Sequence, residues 1–217
     1  MKRESRQGRS QGAEYEPLRR EYARMARGYE SRWKRYVEAS VRETMRRLPL
    51  APDLRVLDVG CGTGALLAAI RLTEPETRLT GVDLSDEMLE LARRRLGPKV
   101  DLRRSLAEEL PFDDGGFDIV VSSSVLHFVR DPAAAIAHMR RVLAPEGSLV
   151  ITDWCADYWT CRILDRVLRL SSGGHFRTYR TDELRALLGA AGFTNVHVEH
   201  YRIDWFWGLM TATARKG

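Results

Sequence analysis

Residues 55–64 read Arg-Val-Leu-Asp-Val-Gly-Cys-Gly-Thr-Gly. The short apolar run Val56-Leu57, with Val59, has the make-up of a buried parallel strand. It carries one acid, Asp58, and runs into three alternating glycines, Gly60, Gly62 and Gly64. The apolar run Ala65-Leu66-Leu67-Ala68-Ala69-Ile70 then suits a helix. A strand that turns into a helix through glycines lets a ligand lie against bare backbone.

The glycine spacing restricts that ligand. A dinucleotide fingerprint wants G-x-G-x-x-G, with the helix facing a pyrophosphate. Here the glycines run G-x-G-x-G. The phosphate-binding P-loop also fails, because no Gly-Lys-Ser/Thr follows the turn. Residues 78–83, Arg-Leu-Thr-Gly-Val-Asp, read as a second strand ending in Asp83. Asp83 lies 19 residues past Gly64, near the spacing of nucleoside-binding α/β units. An acid there can accept hydrogen bonds from both ribose hydroxyls. Ser85 is a good N-cap for the next helix, and Asp86 and Glu87 suit its positive end. Residues 107–121 give a turn and a fourth strand, followed by Ser122 to His127. Asp131-Pro132 starts another helix, and residues 147–153 read as the fifth strand.

In order and spacing, residues 55–153 resemble the class I S-adenosylmethionine-dependent methyltransferases. They are most similar to the small-molecule enzymes related to ubiquinone/menaquinone C-methylation, the type 11 group. The resemblance implies a doubly wound, Rossmann-like α/β fold. Its seven-stranded, mostly parallel sheet has an antiparallel edge strand and helices on both faces. It implies S-adenosyl-L-methionine as cofactor and S-adenosyl-L-homocysteine as product. The implied cofactor residues are Asp58, Gly60, Cys61, Gly62 and Gly64 in the first turn, then Asp83, Leu84 and Met88. Leu106, Ala107 and Ser122 follow, with Tyr22 and Tyr29 from the first helix near the methionine end. One departure stands out. Similar enzymes often place an adenine-binding acid where this chain has Leu106, which cannot accept a side-chain hydrogen bond.

Bulk properties suit an ordinary enzyme of one main domain. The chain has 217 residues, 44% of them hydrophobic, enough for a substantial core. No segment approaches the roughly 18 uninterrupted apolar residues of a membrane span. The basic N-terminus lacks the apolar stretch of a secretory signal. Cys61, Cys155 and Cys161 form no C-x-x-C pair, no metal site is indicated, and a reducing cytoplasm is the expected setting.

Charge is unevenly placed. Residues 1–50 hold 14 Lys/Arg and 7 Glu, a net of +7, against +5 for the whole chain. Residues 1–14 read as a disordered basic tail, and 15–50 as a lid helix. Its stripe includes Leu18, Tyr22, Met25, Tyr29, Trp33, Tyr36, Val37, Val41, Met45 and Leu48. Two uses of the stripe are open. It can pack over the cofactor pocket, or its basic flank can touch an anionic membrane or partner. A nucleic-acid substrate finds little support: no Asn/Asp-Pro-Pro-Tyr follows the fourth strand, and there is no Pro-Cys nucleophile.

Residues 51–217 form the methyltransferase domain in this reading, with a substrate-side helix and loop at about 154–180. Trp33, Trp154, Tyr158, His175 and Tyr179 are the candidate substrate residues. Ser171-Ser172-Gly173-Gly174 reads as a loop, and Thr181 opens the last long helix. Strands near 196–201 and 208–214 are expected to pair antiparallel at the sheet edge. Methyl transfer from a sulfonium is an in-line displacement, so alignment at about 3–3.5 Å is the main requirement. A base is needed only when the acceptor must lose a proton. His127 is the candidate base, with a structural role as its favoured reading. The acceptor reads as small or amphiphilic. Rival readings are a membrane-associated phospholipid amine N-methyltransferase and a non-catalytic binding subunit on the same fold.

Overall fold

The computed structural model describes residues 15–25, 28–171 and 175–217. The expected basic tail, residues 1–14, and Ser172-Gly173-Gly174 lie outside the described residues, as do the side chains of Tyr22 and Tyr29.

The sheet is built on the quoted stretch. Strand β1 (Arg55–Val59) pairs in parallel with β2 (Arg78–Asp83) on one side and β4 (Phe117–Ser123) on the other. Strand β3 (Asp101–Arg104) closes one edge, and β5 (Leu143–Trp154) follows β4 in parallel. β6 (Phe193–Arg202) and β7 (Gly208–Lys216) complete the order β3-β2-β1-β4-β5-β7-β6. β7 runs antiparallel to both β5 and β6, and the antiparallel β6–β7 pair forms the second edge, as expected.

Side chains alternate across a strand, so each central strand feeds two cores. Leu57, Val59, Val120, Leu149 and Ile151 face one layer. That layer contains α5 (Pro132–Val142) and α7 (Thr181–Ala190). Val56, Ile119, Val121 and Val150 face the other. There they meet α2 (Tyr29–Met45), α3 (Ala65–Thr73) and α4 (Asp86–Leu96). Both faces are covered, which is why the strands read as continuous apolar runs. Ser85 caps α4 as expected, accepting the Met88 N–H at 3.3 Å. Asp131 caps α5 by accepting the Ala134 N–H at 3.0 Å, with Pro132 at the first position.

The stripe read as one helix over 15–50 forms two, α1 (Glu16–Met25) and α2. Gly28 caps α2 with φ −119° and ψ 3°, and glycine is the weakest helix former after proline. The stripe of α2 is used inward. Val41, Met45 and Leu48 pack on α3 and the sheet, and Trp33, Tyr36 and Val37 pack beside Trp154. A buried thread of hydroxyls ties α2 down. The Thr44 Oγ1 donates to Thr152 at 2.9 Å, Thr152 meets Thr211 at 2.9 Å, and Thr211 meets the Tyr201 hydroxyl at 2.6 Å. Beyond β5 lies α6 (Trp159–Ser171), within the expected substrate-side segment at about 154–180. Among the described residues, no helix is long and apolar enough to cross a membrane.

Candidate active site

The order of the strands reverses at β1 and β4, and the carboxyl ends of β1, β2 and β4 open there into a cleft. It is an open cleft at the topological switch point, where small-ligand sites form. A second space shares Gly60, Gly62, Ser123 and Ser124 with the first. The two are halves of one trough crossing the glycine turn. Asp83 stands in one half and Asp58 in the other.

The turn is held from below. The N–H groups of Gly60 and Cys61 both donate to the Val82 carbonyl, at 2.8 and 2.9 Å. The three glycines take φ of +77°, +52° and +75°, conformations that side chains disfavour. Each does a different job. A Cβ on Gly60 would stand 2.2 Å from Val125 Cγ2, and one on Gly64 would stand 2.8 Å from Leu96 on α4. A Cβ on Gly62 would meet nothing within 4 Å, since Gly62 floors both halves of the trough.

Asp83 is oriented by backbone. One carboxylate oxygen accepts the Gly62 N–H at 2.8 Å and the other the Ser85 N–H at 2.9 Å. A carboxylate has about four acceptor sites, so acceptor capacity remains for a ligand. Burial raises its pKa, while the N–H groups of Ser85, Gly62 and Leu84 pull it down. Asp58 lacks such support. Strand alternation turns it to the α2–α3 side, where it is 2% exposed beside Tyr36 and Ser40. Burial pushes its pKa up to about 8, with the nearby Asp83 adding to the rise and no hydrogen bond offsetting it. A buried acid without a cation or donor calls for a positive ligand group.

The walls are set by contacts between distant parts of the chain. Leu84, Met88, Leu106, Ala107, Phe128 and Val129 make the Asp83 half apolar. Helix α1 roofs that half through Leu18 and Arg19. It is fastened by Tyr15, whose hydroxyl donates to Glu108 and accepts the Arg130 N–H at 2.8 Å. Burial and Glu108 both raise the Tyr15 pKa, so this phenol stays a donor. Helix α2 roofs the other half through Tyr36, Val37 and Ser40. The indole of Trp154 donates to the Tyr36 hydroxyl at 2.7 Å. That hydroxyl also lies 2.7 Å from the Ser124 Oγ, and either oxygen can donate.

Most of the cofactor residues expected from sequence come together here. Asp58, Gly60, Cys61 and Gly62 line the second half, and Asp83, Leu84, Met88, Leu106 and Ala107 the first. Gly64 sits behind the turn against α4. The Ser122 hydroxyl donates to the Val59 carbonyl at 2.9 Å, and the neighbouring Ser123 and Ser124 line the trough.

The candidate substrate residues divide. Trp33 stacks edge-on to Tyr36 and Trp207, and Trp154 lies between Trp207 and His127. His127 is 1% exposed, with Nδ1 2.5 Å from Asp153 and its ring 4.0 Å from that of Trp154. Among the described residues, its Nε2 has no hydrogen-bond partner. His175 is paired to Asp165 at 2.9 Å, and burial lowers its pKa. Tyr179 is buried in the α5–α7 core, with Arg177 over its ring. Tyr158 packs against Gly208 and under Arg202, away from the trough lining. Reading the sequence missed Tyr15, Tyr36, Ser123, Ser124 and Phe128 as lining residues. Only Tyr36 carried a signal, its place on the α2 stripe.

Residues 57–151 match a family model described as a methyltransferase domain. The fold is that of the class I S-adenosylmethionine-dependent methyltransferases. Within that class, residues 57–151 match the type 11 methyltransferase-domain family. The chain is 38% identical over 154 residues to a malonyl-[acyl-carrier protein] O-methyltransferase of Geobacter sulfurreducens, covering 66% of this chain and 57% of that protein. It is 29% identical over 209 residues to a ubiquinone/menaquinone biosynthesis C-methyltransferase of Desulfotalea psychrophila, covering 85% and 82%. The chain spans about half the length of several curated relatives it matches. Its fold matches a chain from the complex of the Haloferax volcanii Trm112 methyltransferase activator with a methyltransferase. There the TM-score is 0.80 at 19% identity, covering 90% of this chain and 97% of that one.

Proposed function

We propose that this protein transfers the methyl group of S-adenosylmethionine to a small or amphiphilic acceptor and releases S-adenosylhomocysteine. The observation that carries the reading is the trough itself, with Asp58 and Asp83 at opposite ends of a bare glycine floor. Asp83 would accept the ribose hydroxyls on its remaining acceptor capacity. Asp58 would face the ammonium of the methionine end. Leu84, Met88 and Leu106 would enclose the adenine. When bound, the cofactor supplies a methyl group already activated by a sulfonium charge. The protein's share of the work is alignment of the acceptor and exclusion of water. Where the acceptor carries a proton, His127 is the proposed base. Asp153 holds its Nδ1, which leaves Nε2 as the nitrogen able to accept.

Calorimetry tests the reading through Asp58. Its pKa in the ligand-free protein is about 8, so the carboxyl is mostly neutral at pH 7. An ammonium beside it favours the charged form, so binding must expel a proton. S-adenosylmethionine and S-adenosylhomocysteine are expected to bind with release of about one proton at pH 7, measured in buffers of different ionisation enthalpy. The Asp58→Asn variant should bind more weakly without that release. The linked stability has the same origin. A raised pKa means the neutral form is favoured on folding, so the free protein loses stability as pH rises from the ordinary carboxylate range toward 8. Binding of NADH but of neither sulfur compound sinks the proposal.

Leu106 supplies a separate check. It lines the Asp83 half, where similar enzymes often carry an acid. Leu106→Asp is expected to retain cofactor binding and to tighten it by up to about 1 kcal/mol, one net hydrogen bond. A large loss of affinity, with circular dichroism unchanged, would show that the apolar contact outweighs the hydrogen bond.

A further inference from the structure

Helix α6 exposes large apolar side chains on one stripe. Trp159, Ile163, Val167 and Leu170 are 59%, 51%, 52% and 91% exposed, and their spacing of four, four and three keeps them on one face. Trp205 is 79% exposed, and its turn is joined to the start of α6. The Thr160 hydroxyl donates to the Phe206 carbonyl at 2.6 Å, and the Cys161 thiol lies 3.4 Å from the Gly208 carbonyl.

The flank of this stripe is basic. Arg162, Arg166 and Arg169 are exposed at the matching spacing of four and three. The helix holds one acid, Asp165, which meets His175 and the Thr178 N–H at 2.6 Å and lies 3.9 Å from Arg169. The opposite face of α6 is already used, with Leu164 and Leu168 packed beside Trp154 and Trp207. The outward half is therefore apolar on one side and cationic on the other, with tryptophan at its start.

We propose that this face of α6 docks on an anionic lipid surface, laying the helix in the headgroup plane. Charge complementarity selects that occupant. A second copy of the chain would bring three arginines against three, whereas anionic headgroups neutralise them while the apolar stripe and Trp159 enter the interface. The stripe of α2, the sequence-level candidate for membrane contact, is buried against the sheet and cannot serve. Docking through α6 also sets the aromatic cluster of Trp154, Trp207 and Tyr36 next to the lipid, on the side of the trough roofed by α2.

Sedimentation of the full chain with vesicles tests this. Vesicles of phosphatidylcholine with about 30% phosphatidylserine should carry the protein down at low salt, and pure phosphatidylcholine should not. Physiological salt should weaken the binding, because exposed charges are screened beyond about 8 Å. Arg162→Gln/Arg166→Gln and Ile163→Ser/Leu170→Ser should each lower vesicle affinity by roughly tenfold or more. The basic N-terminus is common to all three proteins, so any difference belongs to α6. Cofactor calorimetry and circular dichroism should be unchanged in both variants, and the vesicle measurement needs no cofactor. No sedimentation at low salt, equal sedimentation of parent and variants, or a micromolar dimer abolished by Leu170→Ser would each overturn the proposal.

Discussion

Replacing Asp83 with alanine is expected to weaken S-adenosylmethionine binding by about 1.5–3 kcal/mol, roughly ten- to a hundredfold in Kd. The reasoning starts from its two backbone donors. The N–H groups of Gly62 and Ser85 fix the carboxylate at 2.8 and 2.9 Å, so it needs no rearrangement to receive a ribose. Each hydrogen bond to a charged acceptor is worth more than a neutral one. The truncation also leaves the Gly62 N–H without its acceptor in the floor of the trough, which loosens the turn itself. Asp83→Asn separates the two contributions. It keeps one carbonyl oxygen and the side-chain volume, so its loss should fall between parent and alanine. Calorimetry on the three proteins decides the matter; equal affinity for the parent and Asp83→Ala would place the ribose elsewhere.

Gly60→Ala is expected to cost about 2–5 kcal/mol of folding stability. The left-handed backbone at φ +77° accounts for about 1–2 kcal/mol. The new Cβ, 2.2 Å from Val125 Cγ2, adds a further 1–3 kcal/mol or so of overpacking. The two causes can be told apart in a double-mutant cycle with Val125→Ala. Removing the valine methyls relieves the clash but not the backbone strain. The pair should therefore couple favourably by about 1–2 kcal/mol, while the double variant remains less stable than the parent. Urea unfolding of the four proteins measures this. Strict additivity would mean that the turn moves aside for the methyl group and that backbone conformation alone explains the glycine.

The fold was legible because its signals are local. Arg55 to Ile70 spells a buried strand, a turn that side chains cannot follow, and an apolar helix, all within nearest-neighbour range. Asp83 was found by its distance from the turn. The capping residues Ser85 and Asp131 act within three positions of themselves, and the structure uses both that way.

The lining of the trough depends on contacts that no local pattern contains. Tyr15 reaches Glu108 across 93 positions, and Tyr36 reaches Ser124 across 88. Ser122 and Ser123 are interchangeable in sequence. Alternation guarantees that they face opposite sides, but only the packing of α2 and α3 decides which side holds the trough with Asp58. The same holds for the two amphipathic helices. Both α2 and α6 show a stripe with basic flanks, and periodicity cannot say which stripe finds a partner inside the molecule. The sheet buries that of α2 and leaves that of α6 outside, because an amphipathic pattern specifies a face to cover while the tertiary structure supplies the cover. By itself, then, the sequence determined the strand–turn–helix frame and the acids at its ends, and only the tertiary structure decided which side chains close over them.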